Sequence, residues 1–435
     1  MDVVITPHPL TGEIPAIASK SMAHRLLICA ALCPEPTDIV CATTSKDIEA
    51  TISCLKALGA QVAREGDVLH VTPIPTDAET GRLAATRGAL LDCGESGSTE
   101  RFMLPVVAAL ACDGSLTGHG RLASRPLSPL YEELIAGGCD LTEQGTFPIS
   151  VTGSLRNGRF ELPGNVSSQY ISGLLLAAPL LAGPSEVRVT EPIESRPYVA
   201  LTISALAQFG VHVAERKESD EHGSYTIYAV SPMTPLRSPG EVVVEGDWSN
   251  AGFWLAAGAL GQGVAVSGLD LASRQGDRAM MAALAKLGAQ VRRSGKVASV
   301  FSGSPNGCEM NVADFPDLVP PLAAVAALAP GTTRLTGCAR LRLKESDRVE
   351  TVVGGLSALG ADITAEGDDI VINGRESLAG GTVDAANDHR IAMMAAVAAS
   401  RCEGPVTILG AECVQKSYPA FFEDYEKLGG LVETR

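Results

Sequence analysis

Two serines, two cations and an imidazole stand together in Ser19-Lys20-Ser21-Met22-Ala23-His24-Arg25, directly before the apolar run 26–32. A helix that begins there exposes unpaired N–H groups and partial positive charge, and both suit an anion. Lys20 and Arg25 strengthen that preference for a phosphate or a carboxylate. The plainer reading is an ordinary N-cap with solvated charges, and one such stretch does not decide between them. Comparable clusters recur. Gly94-Glu95-Ser96-Gly97-Ser98-Thr99-Glu100-Arg101 places two glycines where backbone N–H groups can approach an oxyanion, although it matches neither a Walker A nor a GxGxxG pattern. Arg101 there reads equally as an anion ligand and as a structural cation tying loops together. Ser167-Ser168-Gln169 offers hydroxyls and an amide for a polyol or phosphate, or simply a cap. Asp317 opens an apolar helix between Pro316 and Pro320; it is either an N-cap or a candidate general base on a substrate hydroxyl. Lys344-Glu345-Ser346-Asp347-Arg348 is the densest charge run, and Asn387-Asp388-His389-Arg390 precedes a wholly apolar helix, with Lys416 following. No His/Cys/Asp/Glu spacing fits zinc and no nucleophile elbow is present. The chemistry implied is acid–base work on anions, without metal or other cofactor.

The elements that must position these residues repeat. A helical run, a small-residue turn and a strand recur at Leu58-Gly59-Ala60, Gly137-Gly138-Cys139, Phe209-Gly210-Val211, Leu287-Gly288-Ala289, Leu359-Gly360-Ala361 and Leu428-Gly429-Gly430. The interval is about 70–80 residues, longer than common solenoid periods. The glycine suits a helix C′ position. Val62, Val68, Leu69 and Val71 then read as two short strands around a turn at 65–67. A second phrase interleaves: a polar cluster, an apolar Ala/Leu-rich helix and a strand, starting at Ser19, Gly94, Asn165, Gly246, Asp314 and Asn387. Helices such as 102–110 and 391–399 are apolar on nearly every face and should be buried. A second set of helix starts each carries a cation: Lys46, Arg125, Arg196, Arg278, Arg348 and Lys416. Pro126 and Pro197 suit a first helical position, and Asp347 with Glu350 a capping pair. The expected class is α/β (α+β): six units of two helices and about four strands in βαβ-like order, three units to each of two similar domains. The expected division assigns 19–239 to one domain and 1–18 plus 240–435 to the other, with the Pro-rich stretch 231–240 (Pro232, Pro235, Pro239) at the boundary and the N-terminal strand closing the second domain. Helix starts facing one way would then line a cleft between the domains.

Bulk properties narrow the partners. The chain has 435 residues, is 46% hydrophobic and carries a net charge of −16 from 34 Lys+Arg against 50 Asp+Glu. Such an acidic balance argues against broad nucleic-acid binding and against adhesion to anionic membranes, so any cations serving an anionic substrate must be gathered locally. Eleven cysteines lack any CxxC pair, and Cys29 and Cys33 read as core. Together with the absence of a basic leader before the first apolar residues, they suit a reducing cytoplasm. The longest apolar runs, 173–183 and 320–330, are too short to span a bilayer.

Taken in order, Ser19-Lys20-Ser21…Arg25, Gly94…Gly97-Ser98…Arg101, Arg125-Pro126, Ser167-Ser168-Gln169, Ser195…Pro197-Tyr198, Asp317, Arg342 through Arg348, Asn387 through Arg390 and Lys416 resemble the 5-enolpyruvylshikimate-3-phosphate synthase family nearly end to end. The resemblance implies two domains of three βαββαβ units, hinged and closing on substrate (the enolpyruvyl transferase fold). It implies transfer of the enolpyruvyl group of phosphoenolpyruvate to the 5-hydroxyl of shikimate 3-phosphate, with release of phosphate, through a tetrahedral intermediate. By the same resemblance, shikimate 3-phosphate is held by Lys20, Ser21, Arg25, Ser167, Ser168, Gln169, Ser195, Asp317 and Lys344. Phosphoenolpyruvate is held by Lys20, Gly97, Arg125, Gln169, Arg348, Arg390 and Lys416. Asp317 is the expected base on the 5-hydroxyl and Glu345 the expected donor to the methylene carbon, with Lys20 and His389 assisting proton movement. Glu95, Ser98 and Phe102 stand where many members have Asn, Thr and Pro, beside the loop that bears on phosphoenolpyruvate and on the inhibitor glyphosate. Arg340 stands where many have Asn, and no role is carried onto it. Partners are therefore the two small-molecule substrates, and closure within one chain suits a monomer.

Two other readings compete. The sister transferase acting on UDP-N-acetylglucosamine shares the architecture but uses a loop cysteine as acid, and Cys112 and Cys139 lack that context. A catalytically silent anion-binding protein on the same scaffold would be expected to have lost Asp317 or Glu345.

Overall fold

Each repeat is punctuated where a helix meets a glycine that can turn left-handed. The computed structural model describes residues 1–231 and 235–435, so Pro232 of the expected boundary lies outside the described residues. The helix Lys46–Ala57 ends at Leu58; Gly59 then takes φ +109°, a region that side chains disfavour, and Ala60 N–H returns to the Leu55 carbonyl at 3.1 Å. The chain runs on into the antiparallel strands Gln61–Glu65 and Val68–Thr72, turning at Gly66. Gly138, Gly210, Gly288, Gly360 and Gly429, the equivalents in the other repeats, also have positive φ.

Among the described residues the strands form six four-stranded sheets of one pattern: a parallel pair, then two antiparallel neighbours. Leu90–Asp92 runs parallel to Ser115–Thr117, which is followed by Ile149–Gly153 and Cys139–Leu141. Arg159–Pro163 and Ser185–Thr190 begin a second such sheet, and Glu309–Asn311 and Thr332–Thr336 a third. Three sheets borrow a strand from far along the chain. Glu241–Val243 joins Thr37–Val40, Thr11–Pro15 joins Gly263–Ser267, and Val3–Thr6 lies between Val406–Leu409 and Leu431–Thr434.

The chain divides into two compact units, residues 20–244 and residues 1–19 with 245–435. The second boundary falls five residues beyond the expected 239, because Glu241–Val243 is hydrogen-bonded to Thr37–Val40 and stays with the first unit. Inside each unit the Ala/Leu-rich helices pack on one another. In one they are Lys20–Leu32, Gly97–Leu110 and Ser168–Ala177; in the other, Trp248–Leu260, Val319–Ala326 and His389–Ala399. His389–Ala399 is buried along its whole length. Such helices gain nothing from an exposed face and are held by packing rather than by amphipathic patterning.

Three local expectations are corrected. Pro126 opens no helix: the next one is Leu130–Ala136, because Pro129 restricts Ser128 to extended backbone and delays the start. Asp347 does cap the helix Arg348–Ala358 through Val349 and Glu350 N–H, but the Glu350 carboxylate goes to Arg342 instead of completing a capping pair. Lys416 ends a 3-10 turn, Ala411–Lys416, rather than starting a helix.

Candidate active site

In the unit of residues 20–244, the first turns of the central helices carry the expected anion-binding residues. Lys20 is the first residue of Lys20–Leu32, and its Nζ donates to Asp47 Oδ2 at 2.8 Å. Ser21 sits one residue on, partly exposed, and its carbonyl accepts from Arg25. Arg25 is buried among neutral acceptors: Thr202 Oγ1 at 2.7 Å, the Tyr198 carbonyl at 3.0 Å and Ser172 Oγ at 3.5 Å. Burial pushes its guanidinium down to about 10, still cationic at neutral pH.

Ser96 caps Gly97–Leu110 by accepting from Thr99 N–H, which leaves Gly97 as the first helical residue. A Cβ on Gly97 would lie 2.5 Å from Arg101 Nη1 and 2.6 Å from Arg125 Nη1, so only glycine lets both guanidiniums reach this turn. Arg101 donates to the carbonyls of Gly97 and Pro126 and to Gln169 Oε1, which is the loop-tying role. Gln169 Nε2 donates to Ser98 Oγ at 2.9 Å. This meeting depends on Gly173, whose missing side chain lets Ser168–Ala177 pack directly on the Arg101 carbonyl. Ser167 caps that helix, Ser168 is buried in its first turn, and Ser195 is buried in a left-handed conformation before Arg196–Gln208.

The other unit gathers its charges around one carboxylate. Asp317 lies in the 3-10 turn Pro316–Leu318 and is not the N-cap residue of the helix that follows. Its Oδ1 accepts from Arg348 Nη1 at 2.8 Å and lies 3.4 Å from Lys344 Nζ; its Oδ2 accepts from Arg390 Nη2 at 3.1 Å. Burial works against the charged carboxylate, but Arg390, Lys344 and Arg348 outweigh it and hold Asp317 well below the usual carboxylate range. Burial lowers Lys344 to about 8, with Asp317 pulling the other way; Arg340 lies near enough to lower it further.

Arg348 is 1% exposed, so its charge run is no solvated face. Its Nε donates to Asp388 Oδ2 at 2.7 Å and its Nη2 to Glu345 Oε2 at 2.7 Å. Burial opposes its charge, yet Asp388, Glu345 and Asp317 raise its pKa and keep it protonated. Arg390 also donates to Ser249 Oγ at 2.7 Å, and Lys416 Nζ to the Asn387 carbonyl at 2.7 Å. His389 is 1% exposed at the start of its helix, its Nδ1 3.9 Å from Asp388 Oδ1.

Sequence reasoning left Asp388 and Ser249 as members of polar helix-start clusters and gave no role to Asp47 or Thr202. These hold Arg348, Lys20, Arg390 and Arg25 in place. The signal for Asp388 was its position beside His389 at an N-cap, where it accepts from Arg390 N–H, and for Ser249 its place in the polar cluster that starts at Gly246; Thr202 carried none, since it lies far along the chain from Arg25.

A protein-family profile described as EPSP synthase (3-phosphoshikimate 1-carboxyvinyltransferase) matches residues 4–425. The chain belongs to the EPSP synthase family. It is 38% identical over 432 residues to a Clostridium kluyveri protein named 3-phosphoshikimate 1-carboxyvinyltransferase, covering 99% of this chain and 98% of that one. A Clostridium acetobutylicum protein of the same name is 38% identical over 437 residues, with the same coverages. A solved EPSP synthase from Acinetobacter baumannii superimposes with a TM-score of 0.78 at 28% identity, covering 100% of both chains. The enolpyruvyl transferase architecture of six four-stranded repeats with buried helices is thus common to both. Among the described residues, no group of three or more His, Cys, Asp or Glu could hold a metal ion, and no helix is long and apolar enough to cross a membrane.

Proposed function

We propose that the protein transfers the enolpyruvyl group of phosphoenolpyruvate to the 5-hydroxyl of shikimate 3-phosphate, releasing phosphate, and so serves the shikimate pathway toward aromatic amino acids. Family membership carries the reaction; the observation that supports the residue roles is the convergence of Arg348, Arg390 and Lys344 on Asp317. The substrates together bring two phosphates and two carboxylates, and arginine pairs such groups through two N–H donors at once.

Lys20, Ser21, Arg25, Ser167, Ser168, Gln169, Ser195 and Lys344 hold shikimate 3-phosphate. Lys20, Gly97, Arg125, Gln169, Arg348, Arg390 and Lys416 hold phosphoenolpyruvate. Phosphoenolpyruvate competes with Asp317 for Arg348 and Arg390. Each cation that turns to substrate raises the Asp317 pKa and makes it a better base toward the 5-hydroxyl. The hydroxyl oxygen then adds to C2 of phosphoenolpyruvate while Glu345 delivers a proton to the methylene carbon. The ketal so formed loses a methyl proton and phosphate to restore the enol ether. Lys20 and His389 assist proton movement. We further propose a monomer acting in the cytoplasm, a compartment that suits eleven free cysteines.

The test is phosphate release from phosphoenolpyruvate by purified protein, with shikimate 3-phosphate, with UDP-N-acetylglucosamine and with neither. Release with shikimate 3-phosphate alone is expected. Release only with the nucleotide sugar would assign the sister reaction, and silence in every tube would leave an anion-binding protein.

A further inference from the structure

Lys344 and Glu345 sit on a short loop, 343–346, between the 3-10 turn Ala339–Leu343 and the helix Arg348–Ala358. Nothing apolar within the loop fastens it, because Leu343 is 44% exposed. Ser346 is tied to Asp388 Oδ2 at 3.0 Å and to Thr351 Oγ1 at 2.9 Å. Lys344 and Glu345 lean on Asp317 and Arg348, groups that the proposed reaction turns toward substrate.

One side chain spans the loop from end to end. Arg342 Nη1 donates to Asp347 Oδ2 at 2.9 Å and to Glu350 Oε1 at 3.0 Å. Its Nε donates to Asp368 Oδ1 at 2.9 Å and its Nη2 to the Gly367 carbonyl at 2.8 Å. Asp347 uses its other oxygen to cap the helix that begins with Arg348. Gly367 and Asp368 form the tight turn between strands Asp362–Glu366 and Asp369–Asn373. Arg342 therefore ties the start of the loop to its end and to a hairpin of the neighbouring sheet.

We propose that Arg342 is a positioning residue for the reaction: by clamping residues 342 and 347 together against the 367–368 turn, it fixes where Lys344 and Glu345 meet substrate. The inference rests on the functional reading above. A planar guanidinium is needed because its donors point in three directions; a lysine ammonium in the same place reaches one carboxylate and leaves the others. The clamp matters most when substrate draws Arg348 and Asp317 away, since the loop then keeps this tether and loses others.

The test uses the full chain as Arg342→Ala, Arg342→Lys and Asp368→Asn. The readouts are steady-state constants for both substrates, a urea unfolding curve, and amide hydrogen exchange over 343–347. Expected for Arg342→Ala is a KM for shikimate 3-phosphate about tenfold higher, a kcat about tenfold lower, and a KM for phosphoenolpyruvate within about twofold. Exchange over 343–347 should quicken while the rest of the chain is unchanged. Arg342→Lys and Asp368→Asn should lie between this variant and the parent. Two results would overturn the clamp: constants within twofold of the parent, or a kcat that falls only with the folded fraction while both KM values hold. A parent without turnover would instead refute the functional reading, and the positioning role with it.

Discussion

Asp317→Asn keeps the shape of the side chain and removes its charge, and the structure gives its consequences opposite signs. The carboxylate is asked to take the 5-hydroxyl proton, and loss of a positioned general base costs about 10²–10⁴ in rate, or roughly 3–5 kcal/mol of transition-state stabilisation. Binding of phosphoenolpyruvate moves the other way. Arg348 Nη1 at 2.8 Å and Arg390 Nη2 at 3.1 Å are released from a competing carboxylate. A hydrogen bond to a charged group is worth about 1.5–3 kcal/mol, so recovering half of one tightens phosphoenolpyruvate by up to about tenfold. Folding pays a limited penalty. Removing one partner of a buried ion pair typically costs about 3–5 kcal/mol. Here Arg348 keeps Asp388 and Glu345 and Arg390 keeps Ser249, so about 2 kcal/mol is expected. Because the Asp317 pKa is depressed in the fold, its stabilisation is present above the ordinary carboxylate range and is lost as pH falls through the folded value. The stability gap between parent and variant should therefore narrow on acidification below about pH 4. The assay pairs phosphate release with titration calorimetry of phosphoenolpyruvate in the presence of shikimate 3-phosphate. Turnover within tenfold of the parent would remove Asp317 from the base role. A phosphoenolpyruvate affinity that falls in step with kcat would refute the competition for Arg348 and Arg390.

Other positions give sharper single readouts. Gly97→Ala puts a methyl group against Arg101 and Arg125, and its KM for phosphoenolpyruvate should rise about tenfold in steady-state assays, with that for shikimate 3-phosphate little changed. Glu100 is 1% exposed, and burial raises it to about 7 against the pull of Arg101 and Arg125. Since the folded state keeps this proton longer than the unfolded chain, Glu100 costs stability as pH rises from about 4.5 to 7, by about 3 kcal/mol at full ionisation. Urea unfolding at pH 5 and pH 8 should show Glu100→Gln gaining on the parent at the higher pH. Lys344, lowered by burial to about 8, should lose its charge above that pH; the KM for shikimate 3-phosphate should climb there, and Lys344→Arg should flatten the profile.

The repeat was legible because its punctuation is local. The six glycines at helix ends could be read from three Leu-Gly-Ala phrases and three looser copies of them, and each has the positive φ that a C′ position demands. The strand pair around Gly66 follows from the alternation of Val62, Val68, Leu69 and Val71. What could not be read depends on distant partners. Nothing near Glu241 says that it pairs with Asp38, so the boundary fell short. Pro126 sits beside an arginine as a helix start would, but Pro129 delays the actual start to Leu130. In the site, the cationic residues announced themselves by type, whereas Thr202 is an ordinary mid-helix residue until Arg25 reaches it. The Glu350 carboxylate shows the same limit: a local capping rule assigned it to Asp347, and a longer-range arginine took it.

The most direct measurement mixes the protein with equimolar shikimate 3-phosphate and phosphoenolpyruvate and follows the products by phosphorus and proton NMR. The expected result is inorganic phosphate appearing in step with a new vinyl ether on an intact phosphorylated ring. Phosphate formed without that vinyl ether, or neither signal from folded protein that binds both substrates, would contradict enolpyruvyl transfer as the activity of this chain.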